Sequence, residues 1–145
     1  MAQINPYLHF LGNTEEVFNF YKSVFGGEFE AVMRYGDMSG QEGCENMADE
    51  DKQKIMHIAL PVSDGHVLMG TDAVGEYAAD ATFGNNISLS VNADSRDEAE
   101  KLFNGLADGG TVTMPLGDTF WGAYFGMLKD KYNIQWMVNH DNPKE

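Results

Sequence analysis

A single cysteine, Cys44, among 145 residues excludes an intramolecular disulfide and any metal site built from several cysteines. Basic side chains are also scarce: 9 Lys and Arg against 23 Asp and Glu leave a formal net charge of −14. A chain so acidic is repelled by nucleic acid phosphates and by anionic membranes, so neither is an expected partner. There is no apolar run of about 18 residues and no basic-then-apolar N-terminus, which leaves a cytoplasmic protein as the expectation. There is no phosphate loop, no nucleophile elbow and no HExxH pair. What is present is a core-forming composition, 43% hydrophobic and 12% aromatic, long enough for one domain.

Two segments carry the same pattern. Val17, Phe20, Tyr21, Val24 and Phe25 form one apolar stripe at helical spacing; Asn13 and Glu16 stand at its start and Gly26-Gly27 at its end. Ala99, Leu102, Phe103, Leu106 and Ala107 form another, between Ser95 with Glu98 and Gly109-Gly110. Asn13 and Ser95, Val17 and Ala99, and Val24 and Leu106 all stand 82 positions apart. A strand candidate precedes each helix, NPYLHFLG and NISLSVNA, and three follow each one: 29–36, 54–62 and 66–72, then 110–116, 122–129 and 134–139. In the last strands Met69 and Met137 are equivalent. The sequence therefore predicts an α+β fold: a single domain, 1–145, of two βαβββ modules, 1–80 and 81–145, whose cupped sheets enclose a cavity. Residues 37–53, acidic and irregular, read as a solvated loop or as a lid over that cavity. Cys44 lies in this segment and reads as incidental.

PYLHFLGNTEEVFNFYKSVFGG, HIALPVSDGHVLMGTD and DTFWGAYFGMLKDKYNIQWMVN together resemble the PhnB-like branch of the glyoxalase/bleomycin-resistance/extradiol-dioxygenase (vicinal oxygen chelate) superfamily. The resemblance covers nearly the whole chain. It implies paired βαβββ modules, often in a homodimer. It also implies, for metal-dependent members, a divalent ion held by histidine on the first strand of each module and glutamate on the last. Some PhnB-like proteins carry a ubiquinone-pathway methyltransferase label; here no GxGxxG loop follows a strand, and 145 residues leave little room for a nucleotide-binding sheet.

Strand parity predicts what occupies the metal positions. In NISLSVNA the apolar Ile87, Leu89 and Val91 face the helix, so Asn86, Ser88 and Ser90 face the cavity. Carrying the 82-residue offset into the first strand turns Ile4, Pro6, Leu8 and Phe10 to the cavity and His9 to the helix; a slip of one residue at the start would turn His9 inward. The glutamate positions fall on Met69 and Met137. This set predicts that the usual metal quartet is missing and that no cofactor is required. In the 54–62 strand, Met56, Ile58, Leu60 and Val62 face the helix and His57 the cavity. There it reads as a satisfied core histidine, a hydrogen-bond contact to a ligand, a general base, or a ligand to a displaced metal together with Asp72. Phe120 and Trp121 offer an aromatic face for a flat ligand, or plain packing, and Met127 adds to a soft methionine lining. His66 and His140 read as strand-end surface residues.

Two functions follow. One is a binder of an apolar or aromatic small molecule, using His57, Met69, Asp72, Asn86, Ser88, Ser90, Trp121 and Met137. The other is a metal-dependent lyase, isomerase or dioxygenase with a non-standard ligand set.

Overall fold

The computed structural model describes residues 2–38 and 48–143. The 37–53 segment lies largely outside them, Cys44 included. The chain divides into two compact units, Met1–Thr82 and Phe83–Glu145.

Unit 1 runs β1 (Tyr7–Phe10), α1 (Thr14–Phe25), β2 (Ala31–Arg34), a 3-10 turn (Tyr35–Met38), α2 (Asp49–Lys52), β3 (Ile55–Ser63), β4 (His66–Asp72) and α3 (Glu76–Ala79). Unit 2 runs β5 (Leu89–Asn92), α4 (Arg96–Ala107), β6 (Thr111–Asp118), β7 (Ala123–Lys129) and β8 (Gln135–Asp141). The sheet orders are β1-β4-β3-β2 and β5-β8-β7-β6, each with its first strand parallel to its last. This is one βαβββ topology used twice, an α+β fold, as the sequence pattern predicts.

Each helix packs its stripe on one face of its own sheet. In unit 1 the buried set is Val17, Phe18 and Tyr21 of α1 with Phe10, Ile58, Leu60 and Leu68 of the strands. In unit 2 it is Ala99, Leu102, Phe103 and Leu106 of α4 with Leu128, Trp136 and Val138. Glycines let the helices approach. A Cβ on Gly70 would stand 2.6 Å from a ring carbon of Phe18, and one on Gly126 would stand 2.7 Å from a ring carbon of Phe103. The helices end where glycine takes positive φ, 81° at Gly26 and 76° at Gly109.

The two helix starts differ. Ser95 Oγ accepts from Glu98 N at 3.0 Å, and Glu98 Oε1 accepts from Asp94 N at 3.1 Å, close to the expected capping box. Asn13 makes no such bond, contrary to expectation. The donors at the start of α1 go instead to Asp72, at the end of β4. Its Oδ1 accepts from Gly12 N (3.0 Å), Thr14 N (3.0 Å) and Thr14 Oγ1 (2.6 Å), and its Oδ2 from Ile55 N (2.8 Å).

The repeat carries a one-residue discrepancy. Thr14 and Arg96, the first helical residues, are 82 positions apart. Tyr7 pairs with Met69 and Ser90 with Met137, so the strand equivalents Tyr7 and Ser90 are 83 positions apart. The additional residue lies in the turn before α1, where Gly12 takes φ 106°. Carrying 82 into β1 therefore inverts its faces. Gly70 faces Phe18 and pairs with Leu8, so Leu8 and the buried Phe10 face α1. Tyr7 and His9 face the other way. This corrects the sequence-based expectation for Leu8, Phe10 and His9.

A candidate site on the far face of the first sheet

The residues pointing away from α1 come from four strands. β1 supplies Tyr7 and His9, and β4 supplies Met69 opposite Tyr7 and Thr71 opposite His9. β3 supplies His57, with Met33 of β2 directly opposite it. The parity expected for β3 holds: Ile58 pairs with Gly70 on the helix side, so His57 lies on the far face.

Tyr7 and His57 meet across this face. Tyr7 Oη lies 3.0 Å from His57 Nδ1. The Tyr7 ring centroid is 5.7 Å from that of His57 and 5.5 Å from that of His9, so both imidazoles lie beside the tyrosine ring. Partial burial raises the Tyr7 hydroxyl above an ordinary tyrosine, and Tyr35 adds to the rise. Tyr7 therefore keeps its proton at neutral pH and is able to donate it to Nδ1, which leaves the His57 Nε2–H as a donor. The cluster is accessible: Tyr7 is 41% exposed and Met33 40%. Tyr35 closes one end, its hydroxyl donating to the Asp72 carbonyl at 2.8 Å and lying 3.5 Å from Thr71 Oγ1.

Asp72 is not part of this cluster. It faces α1, is 1% exposed, and its carboxylate is held by the four donors already described. The expected partnership of His57 with Asp72 is therefore replaced by one with Tyr7. Among the described residues, no group of three or more His, Cys, Asp or Glu side chains is placed to hold a metal ion.

The far face of unit 2 is built differently on the same plan. Gly126, which meets Phe103 of α4, pairs with Val138, so Met127 and Met137 face away. Ser90 lies opposite Met137, Asn92 opposite Asn139, and Phe125 opposite Asn139 on the other side. Ser90 has the expected orientation. Asn86 and Ser88 precede β5 and stand outside the pairing. Ile87, expected on the helix side, is 74% exposed. Trp121 lies in the β6–β7 connection, its ring 5.0 Å from that of Phe120 and 6.0 Å from that of Phe125. Of the remaining histidines, His66 is an exposed strand start, while His140 sits within β8, its Nδ1 2.9 Å from the Ala93 carbonyl.

Tyr7 was not among the residues singled out from the sequence, and His9 was placed on the helix side. The signal for them is local: in Tyr7-Leu8-His9-Phe10 the apolar Leu8 and Phe10 alternate with the other two, which alone assigns the faces.

The chain is similar to several known proteins over nearly its full length. The crystal structure of protein PA1353 from Pseudomonas aeruginosa is 43% identical with a TM-score of 0.81, covering 99% of this chain and 100% of that one. The putative 3-demethylubiquinone-9 3-methyltransferase, PhnB protein, from Bacillus cereus is 29% identical with a TM-score of 0.73, covering 96% and 99%. Protein YjdN of Escherichia coli (strain K12) is 27% identical over 141 residues, 94% of this chain and 93% of its own. The model of the Glyoxalase/Bleomycin resistance protein/Dioxygenase superfamily matches residues 3–138. Two βαβββ units with this sequence likeness place the chain in that superfamily, in its PhnB-like branch.

Proposed function

We propose that this chain is a small-molecule binding protein of its superfamily, taking an apolar or aromatic ligand. The observation that carries the reading is the chemistry of the far-face positions on the first and last strands of each unit. These are Tyr7 and His9, Met69 and Thr71, Ser90 and Asn92, Met137 and Asn139. They offer thioethers, hydroxyls, amides, one imidazole and one phenol; a single carboxylate, Asp141, follows at the end of β8, where it accepts from Asn139. A hard divalent ion prefers oxygen and imidazole donors, with anionic charge to offset its own. Methionine is a soft, polarisable lining that adapts to flat apolar molecules. Phe125, edged by Trp121, adds an aromatic surface on unit 2.

Two measurements test the reading. The first is metal content by mass spectrometry on untagged protein purified without chelators. A stoichiometric divalent ion would favour the metal-dependent lyase, isomerase or dioxygenase instead. The second is titration with uncharged phenylnaphthylamine, a flat fluorescent probe. Saturable binding that weakens in Met69→Ala is the expected result. The methyltransferase wording attached to the Bacillus cereus relative predicts binding of S-adenosylmethionine, and a clean calorimetric isotherm for it would overturn the proposal. A cytoplasmic homodimer goes with the reading; light scattering at a dimer mass is the expected result for the assembly.

A further inference from the structure

We propose that Tyr7, His57 and His9 form an oxyanion-recognition site, so that the ligand is an apolar or aromatic acid. This rests on the binding reading above and narrows it. Three observations support it.

The first is the internal repeat. Met69 and Met137 are equivalent, and by the same 68-residue offset His57 corresponds to Phe125. By the strand offset Tyr7 corresponds to Ser90 and His9 to Asn92. Unit 2 builds the same sheet, with the same order and register, from Phe, Ser and Asn at these places. The Tyr–His–His cluster is therefore not something the fold requires of a βαβββ sheet.

The second is charge. In a chain of net −14, the paired far-face positions of the unit 1 strands hold two imidazoles and a phenol and no carboxylate, with the Tyr35 hydroxyl beside Thr71. The titratable groups facing His57 are Tyr7 and His9 from β1 and Tyr35 from the 3-10 turn. β2 presents Met33 there, and β4 presents Met69 and Thr71. The nearest basic side chain of β2, Arg34, turns to α1, where it binds Glu15. An anion approaching these strand positions meets donors and no strand carboxylate.

The third is pre-organisation. The Tyr7–His57 bond fixes which imidazole nitrogen is engaged, leaving the other as an N–H donor. His9, 5.5 Å from the Tyr7 ring, supplies a second. When either imidazole is protonated, the donor to an oxyanion becomes charge-assisted. No covalent step is involved.

The test compares two probes with one aromatic skeleton: anilinonaphthalene sulfonate, which carries an oxyanion, and its uncharged parent, phenylnaphthylamine. Fluorescence titration at about pH 6 and about pH 8 brackets the range in which histidine changes charge. The expected result is tighter binding of the sulfonate at the lower pH, with its advantage over the parent shrinking as pH rises. His57→Phe, which installs the residue of unit 2, should remove that advantage by roughly tenfold, as expected for losing a hydrogen bond to a charged group. Binding of the parent should be kept. His9→Asn and Tyr7→Phe, both at exposed positions, give smaller losses in the same direction and serve if His57→Phe does not fold. Equal binding of the two probes, or an advantage that survives both histidine variants, would overturn the inference while leaving the apolar binder standing. If neither probe binds, the apolar reading fails. The oxyanion site then stands only if sulfate ions move the His57 and His9 ring signals in proton NMR, and falls if they do not.

Discussion

Asp72 shows how a single side chain acquires a role through the distance it spans. It lies at the end of β4, yet three of its four hydrogen bonds go to the turn and first residue of α1, about sixty positions earlier. Replacing it with alanine removes the acceptor from four donors, most of them buried, each costing about 1–3 kcal/mol when left unpaired. Asp72→Ala should therefore destabilise the protein by roughly 3 kcal/mol or more in urea unfolding. An unchanged midpoint would contradict the capping role. A second carboxylate is held at the surface. Asp118 is exposed, and its hydrogen bond from Arg96, then that from Asn142, holds its carboxyl below the ordinary aspartate range. A folded pKa below the unfolded one means stability that is present at neutral pH and lost as pH falls through that lowered range. Carbon NMR should find Asp118 titrating late on acidification, and Arg96→Ala should move its midpoint most of the way toward the ordinary value, with the Asn142 bond holding the remainder.

The two helices offer a matched comparison. Ser95→Ala removes a cap bond and should cost about 1 kcal/mol. Asn13→Ala removes none and should shift the midpoint by less than about 0.5 kcal/mol, although both residues occupy the same place in the repeat. Gly126→Ala should cost about 1–3 kcal/mol, since its methyl would press on Phe103 and on the backbone of Leu116. Both helices and the order of the strands were legible in the sequence because periodicity and glycine stops are local properties. The apolar alternation of β3 and β5 was legible for the same reason. The facing of β1 was not, because it was inferred from a helix 82 positions away across a turn that holds one more residue. That slip hid Tyr7 and placed His9 on the wrong face. A cap supplied by a distant strand leaves no trace beside the helix it caps.

At the scale of the whole molecule the two units share a topology and differ in the surface they present. Unit 1 carries the hydrogen-bonded phenol and imidazoles, and unit 2 carries Phe125, Trp121 and amides. The negative charge belongs to the whole molecule. With 23 acidic against 9 basic side chains, self-repulsion opposes the folded state. Salt screens it, and the few exposed ion pairs give up little in return. The melting temperature should rise as sodium chloride increases to about 0.5 M, and a fall would mean that those ion pairs outweigh the repulsion.

The borrowed cap of α1 also sets an order in time. Helix α4 carries its stop signal and its cap within its own neighbourhood, so its first turn is complete as soon as that short segment exists. Helix α1 is made first but lacks its acceptor until β4 has been synthesised and has paired beside β1, which closes a loop of 58 residues. Local closures are fast and long ones slow. The half of the chain that leaves the ribosome first is thus the half whose helix is finished by a later strand.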